Sequence, residues 1–423
     1  MTAEGPAMGK PNTLAEQQAL ETSLAHYHID HLPEVQRTKE RLGSYQALGV
    51  EEPYFRLADD RKTIDFNSYN YLGLKGHPEV NQAAIDAIEK FGTSVSASRL
   101  VGGEISLHRQ LEEELADFLG VEAALVLVSG HATNVSLISH LLGPKDLIVY
   151  DDVAHNSAVT GAVASGAKRI RFAHNDMDAL EKVLARERSK YRRTMVWVEG
   201  LYSMDGDSPD LARLRELQDK YHVLLMVDEA HSIGVLGETG RGLAEFQSVA
   251  RSNNVIWMGT FSKSFASCGG FLAGSSKFIE YLKYTLSGFV YSVGMTPANA
   301  AASMAALRVL RREPERVKQL HDRSRFLKES LENAGFSTGD SLPKAIIPVY
   351  LKDAETVVRV GEKLYQAGLE ASGIVHPAVP KDKCRLRFFV SSNHTEEDIT
   401  KAVEILKSAC GNSVSQDRNA ALT

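Results

Sequence analysis

Seven short apolar runs, none longer than five residues, alternate with helix-like stretches through the middle of this chain. They are Ala124–Val128, Leu147–Tyr150, Ile170–Phe172, Met195–Val198, Val223–Val227, Val255–Met258 and Gly270–Gly274. Between them lie helical patterns such as LHRQLEEELADFL and MDALEKVLARERSKY. This alternation predicts an α/β fold whose sheet is mostly parallel. From about residue 305, long helical stretches surround the strand-like segments AIIPVYL and CRLRFFV, which predicts a smaller α+β domain. The expected organisation is a helical N-terminal segment over 1–60, a large domain over 61–305, a small domain over 306–410 and a frayed tail over 411–423. The N-terminal helix is expected through HLPEVQRTKERLGSYQAL.

Open parallel sheets bind ligands at the C-terminal ends of their strands. Here five predicted strand ends carry polar groups. LVLVSGHATN leads to Gly130 and His131, LIVYDDVAHNS to His155, VWVEGLYSMDGD to Ser203, VLLMVDEAHS to Asp228 and His231, and VIWMGTFSK to Lys263. Such a set at one edge is a catalytic layout rather than a chance of loops.

Single members of the set are ambiguous. Lys263 fits a loop residue, a phosphate-binding lysine or a nucleophile that holds an aldehyde cofactor. VDEAH resembles the metal-holding acidic motif of ATPases, but no G-x-x-x-x-G-K-[ST] loop precedes it. His231 alone reads as a satisfied core histidine. No HExxH or CxxC occurs, and His108, His131 and His155 lack a matching ligand cluster, so no metal site is expected.

Pyridoxal phosphate accounts for the residues together. A lysine in a setting of small groups loses its proton readily and can attack the aldehyde, which suits Lys263. A buried carboxylate, Asp228, would hold the proton on the pyridine nitrogen. His231 and Ser203 would face the phenolic oxygen, and His155 would stack on the ring. Gly130 and His131 at a helix start, with the hydroxyls of Thr260 and Ser262, would hold the phosphate.

The stretches EGLYSMDGDSPDL, MVDEAHSIGVLGETGRG and GTFSKSFASCGGFLAG resemble the α-oxoamine synthase family of pyridoxal-phosphate enzymes. The likeness runs from DFNSYNYLGLKGHPEV to LRFFVSSNHTEEDI. It implies the type I transferase fold, a homodimer with shared active sites, and decarboxylative condensation of an amino acid with an acyl thioester to an α-aminoketone. It also implies that Arg387 holds the amino-acid carboxylate and that Asn70 lies near the substrate, although an asparagine there also suits turn capping. Members of the family usually carry YSTSMPP where this chain has YSVGMTP. Ser292 keeps its hydroxyl, expected to reach the partner's cofactor phosphate, while Val293 and Gly294 do not.

With ASCGGF and the PYFR segment, this departure resembles members tied to polyketide or specialised lipid pathways, which often draw on an acyl carrier protein. Ser232 after DEAH resembles serine palmitoyltransferase and favours serine, with alanine and glycine open. Arg37, Lys39, Arg41 and Arg61 are candidates for meeting a carrier protein or the phosphates of CoA. The alternatives are a serine palmitoyltransferase proper that uses acyl-CoA and, behind it, a simple aminotransferase of the same fold. A net charge of −6 without a basic stripe speaks against nucleic acid as a partner. Three cysteines, no apolar run of membrane-span length and no apolar core in MTAEGPAMGKPNTLAEQQ predict a cytoplasmic protein.

Overall fold

The computed structural model describes residues 53–56, 62–376 and 378–411. The expected N-terminal helix, the basic residues Arg37, Lys39, Arg41 and Arg61, and the tail beyond Gly411 lie outside the described residues. From Thr63 onward, the described residues belong to one compact unit.

Strands β1 (Tyr54–Arg56) and β2 (Lys62–Asp65) come first. The central sheet then uses β3 (Ala123–Leu127), β4 (Leu147–Asp151), β5 (Lys168–Phe172), β6 (Thr194–Glu199), β7 (Leu224–Asp228), β8 (Val255–Thr260) and β9 (Gly270–Gly274). Each of the seven apolar runs coincides with one of these strands. Their order in space is β3-β9-β8-β7-β6-β4-β5. Neighbours from β8 through β5 are parallel, and only β9 runs against the rest.

Apart from Ile170–Phe172, which Arg171 interrupts, the runs are short and unbroken because both faces of this sheet are covered. Val149, Val196, Val227 and Trp257 enter one apolar cluster. Their strand neighbours Ile148, Trp197, Met226 and Met258 enter the other. Alternate side chains leave opposite faces of a strand, so a strand between two cores must be apolar throughout. The edge strand β5 differs: Lys168, Arg169 and Arg171 sit on it, and charge of this kind blocks pairing with another edge.

A second sheet joins β10 (Ile346–Tyr350), β13 (Arg385–Phe389) and β12 (Ser372–Ile374), all antiparallel, with β13 central. AIIPVYL and CRLRFFV supply β10 and β13, and the short β12 had no clear pattern of its own. A third sheet pairs β11 (Leu369–Glu370) with β2, Leu369 opposite Ile64. The helix Pro297–Arg312 runs through residue 305 and packs on the helices Pro78–Phe91 and Ser106–Leu119. The helix Glu396–Cys410 begins with a capping box, in which Thr395 and Asp398 satisfy each other's backbone N–H groups. Among the described residues, no helix is long and apolar enough to cross a membrane.

Candidate active site

A cavity of about 330 Å³ opens at the C-terminal ends of the parallel strands. Lys263, Asp228, His231, His155, Gly130, His131, Ser203, Thr260, Ser262 and Arg387 all line it. Asn70 and Ser292 do not. Asn70 is buried, and its carboxamide oxygen accepts from the backbone N–H groups of Leu74 (2.9 Å) and Lys75 (3.0 Å). That is the turn-capping role.

Two buried phenylalanines, Phe261 and Phe265, clamp the loop that carries Lys263, with ring centroids 5.5 Å apart. Ser264 adds a hydrogen bond to the carbonyl of Ile233 (2.7 Å). Ser264 therefore serves close packing, and the lysine stands half-buried at the cavity wall. Burial drives its pKa down to about 8, and the nearby Arg387 pushes the same way against the attraction of Asp228 and Glu199.

Asp228 ends β7. One carboxylate oxygen accepts from Asn134 Nδ2 (2.7 Å) and the other from the N–H of Ala230 (2.9 Å). Opposite it in register is Glu199, the last residue of β6. Glu199 accepts from the backbone N–H groups of His155 (2.9 Å) and Ser203 (3.2 Å), so it ties two site loops to the sheet. Burial and the Asp228 charge push its carboxyl up to about 8.

His231 is buried, which holds its pKa well below the ordinary value. Its Nδ1 lies 2.7 Å from the hydroxyl of Tyr71, whose own pKa burial raises. A phenol can donate as well as accept, so when Tyr71 donates to Nδ1 the ring's own proton stands on Nε2. Tyr69 closes another side: Lys263 Nζ stands 5.5 Å from its ring centroid. Glu199, Asn134, Ser157, Tyr69 and Tyr71 all belong to the site or touch it, and none was picked out from the sequence. Glu199 had a signal, since it occupies a strand end as Asp228 does.

Gly130 opens the helix Gly130–Leu141, which Ser129 caps. A side chain at Gly130 would come within 2.9 Å of Thr260, so only glycine allows the ends of β3 and β8 to approach this closely. Thr260 spends its hydroxyl proton on the carbonyl of Gly269 (2.7 Å), which leaves Ser262, exposed at the cavity, as the freer hydroxyl.

Arg387 reaches the cavity from the central strand of the second sheet. Its Nη1 donates to the carbonyl of Ser203 (2.8 Å), its guanidinium lies over Phe389, and its buried Nε has no partner. Arg385, two residues before it on β13, pairs with Asp205 (2.7 Å). These contacts join β13 to the loop after β6.

The same loop is held from its other side by His174. Its Nδ1 bonds Asp151 (2.9 Å) and its Nε2 bonds Asp207 (3.1 Å). Burial alone would lower the pKa of His174, but the two carboxylates outweigh it and raise the value to about 10. Stabilisation from this ion triad is then complete below the ordinary value of 6.5 and fades as pH rises through about 10. His174→Gln is expected to lower unfolding stability at pH 6 by about 3 kcal/mol, because it removes the cation from the buried Asp151 and the half-buried Asp207. Urea unfolding of both proteins at pH 6 and pH 10 checks this; a deficit as large at pH 10 would contradict the assignment.

Ser292 sits on a tip beside Tyr291, which is 88% exposed. Gly294 explains part of the departure from YSTSMPP. A Cβ there would lie 3.0 Å from side-chain atoms of Arg99, His108 and Val95, so the tight seat favours glycine over serine.

The aminotransferase class I and II family model matches residues 61–406. The 8-amino-7-oxononanoate synthase of Geotalea daltonii is 42% identical over 378 residues, 87% of this chain and 96% of that protein. The serine palmitoyltransferase of Sphingobacterium spiritivorum is 34% identical over 385 residues, 91% and 95% of the two chains.

The chain belongs to the α-oxoamine synthase family.

Solved structures of the family share the fold. The serine palmitoyltransferase of Sphingomonas wittichii matches with a TM-score of 0.84 at 30% identity, covering 91% of this chain and 98% of that one. A serine palmitoyltransferase holding pyridoxal phosphate matches with a TM-score of 0.85 at 28% identity, covering 92% and 98%. The α-oxoamine synthases are pyridoxal-phosphate acyltransferases. The cavity fits that group: a lysine of lowered pKa, a carboxylate at the neighbouring strand end, a glycine at a helix start and the arginine Arg387 all line one space, and the buried Nε of Arg387 still lacks a partner.

Proposed function

We propose that this enzyme joins a small amino acid to an acyl thioester, releases CO2 and the thiol, and leaves an α-aminoketone. The observation that carries this reading is the cavity shared by Lys263, Asp228 and Arg387. An electron sink and a carboxylate anchor are what α-carbon chemistry on an amino acid needs.

Pyridoxal phosphate, when bound, supplies the electron sink. Lys263 would hold its aldehyde carbon, Asp228 its ring nitrogen and His155 its ring face. His231, with Ser203, would meet its phenolic oxygen. The amides of Gly130 and His131 have no carbonyl partner within their helix, and with Ser262 they would hold the phosphate, while Thr260, whose proton goes to Gly269, would buttress Ser262. A pKa of about 8 lets Lys263 Nζ take and return a proton near neutral pH. Arg387 would bind the amino-acid carboxylate. Asn70 spends its carboxamide oxygen on its turn, and its buried Nδ2, without a partner, is the group that would serve the role near the substrate.

A second copy of the chain would bring Ser292 to the neighbouring cofactor phosphate. The exposed tip at Tyr291 and Val293 supports a homodimer. Three unpaired cysteines support a reducing, cytosolic setting.

Serine is the first amino acid to test, given DEAHS, followed by alanine and glycine. The decisive experiment crosses these amino acids with acyl-CoA and acyl-carrier donors and measures product mass and CO2. Formation of pyridoxamine phosphate without a thioester would favour an aminotransferase instead.

For the donor, an acyl-carrier thioester is expected to give a higher kcat/KM than the same acyl group on CoA. Carrier proteins are typically acidic, and a protein donor adds surface contacts that CoA lacks. Exposed charge pairs are screened by salt, so the advantage should shrink as ionic strength rises. Matched donors compared at low and high salt decide the matter. Equal efficiency, or a preference for CoA, would reject the carrier donor and leave the condensation standing.

A further inference from the structure

Two residues with no assigned role connect the groups expected on either side of the cofactor ring. Asn134 lies one helical turn after Gly130, and Ser157 lies two residues after His155. Both are buried, at 1% and 0% exposure. Asn134 Nδ2 donates to Asp228 Oδ2 (2.7 Å) and to Ser157 Oγ (2.9 Å). Ser157 Oγ lies 2.7 Å from His155 Nδ1. The result is a continuous chain from Asp228 through Asn134 and Ser157 to His155.

The direction of each bond follows from which groups can donate. A carboxylate can only accept, so Asn134 must turn its NH2 toward Asp228. The reverse orientation would set the amide oxygen against the carboxylate. The orientation present leaves Asn134 Oδ1 buried without a partner, a cost that shows which contact dominates. Ser157 Oγ accepts from this amide, and its own proton then goes to His155 Nδ1. A second donor agrees: the backbone N–H of Ser157 also points at Nδ1, at 3.3 Å. Two donors at Nδ1 require a lone pair there. His155 also caps the helix Asn156–Ser165, where the positive end of the helix dipole disfavours an imidazolium. Burial lowers its pKa in the same direction.

We propose that Asn134 and Ser157 are positioning residues that hold His155 as the neutral Nε2–H tautomer and fix the Asp228 carboxylate through one shared hydrogen-bond chain. This rests on the reading above, in which Asp228 and His155 meet the cofactor. The two groups are then set together. A flat, uncharged ring is presented on one side, and the carboxylate plane is oriented on the other. Loss of either middle member should disturb both ends.

The test uses protein labelled with 15N-histidine, with and without pyridoxal phosphate. Two-bond proton–nitrogen correlations separate the Nε2–H from the Nδ1–H tautomer, and a His155→Gln sample identifies the signals of His155. The wild type should show Nε2–H even without cofactor. Asn134→Ala should lower kcat roughly tenfold or more, as expected for loss of the charge-assisted bond to Asp228, and Ser157→Ala should lower it by a similar factor, because it frees Asn134 Nδ2 and His155 Nδ1 together. The double variant should lose about as much as either single one, since both break the same chain. Ser157→Thr, which keeps the hydroxyl, should recover most of the rate. Fixing the cofactor with borohydride in the wild type tests the site separately. If the label is on Lys263 but His155 is Nδ1–H, or if both alanine variants keep the wild-type rate or add independently, the chain has no such role and the site reading stands. A label on another lysine would overturn the site reading and this proposal with it. The tautomer measured in the wild type decides the question even if a variant fails to fold.

Discussion

Lys263→Ala is expected to bind pyridoxal phosphate loosely and to lose turnover. The lysine would hold the cofactor covalently and also move the α-proton. Loss of a positioned acid–base group alone costs roughly 10²–10⁴-fold in rate, and loss of the covalent link adds to that. The fold should survive, because Phe261, Phe265 and Ser264 hold this loop without help from Lys263. The wild-type protein should be yellow, and borohydride should bleach it while fixing the ring to Lys263. The alanine variant should release its cofactor on gel filtration and show no fixed label. A label on another lysine in the wild type would remove Lys263 from the centre of the site.

Asp228→Asn should be the next most damaging change. It keeps the shape and removes the charge that would hold a proton on the ring nitrogen. A hydrogen bond to a charged group contributes about 1.5–3 kcal/mol, so the rate should fall roughly tenfold to a hundredfold or more. The surroundings of Asp228 make the loss larger. Both of its oxygens now accept, one from Asn134 and one from Ala230. An asparagine must turn its own NH2 toward one of these donors, so one hydrogen bond is replaced by a clash of N–H groups. Cofactor affinity and kcat measured together check this. Near-normal values for both would show that Asp228 is not the ring partner.

Much of the site could be read from the chain because it is built on strand ends. Each central strand lies between two apolar cores, so its sequence is unbroken and its end is marked by the first polar residue. Asp228 and Thr260 stand at such ends, and Lys263 follows three residues after the second. The hydroxyl of Thr260 shows the limit of this reading. Its residue type suits a phosphate, yet its proton is already committed to Gly269. Hydrogen-bond commitments of this kind depend on where a second segment passes, and residue type does not record that.

The sequence by itself determined the family, the strands of the central sheet and the residue types at its edge. Those properties are local, since they follow from runs, spacings and motifs within short windows. Only the tertiary structure decided the partners. Glu199 stands opposite Asp228 because β6 and β7 pair in one register, and a shift of one residue would turn it to the other face. β9 enters between β3 and β8 against the order of the chain and brings Gly270 up to Gly130. Tyr71 meets His231 across a separation of 160 residues. Arg387 arrives on the middle strand of a different sheet and binds the carbonyl of Ser203. Register, strand order and long-range approach are set by the packing of whole elements, and no short window of sequence contains them.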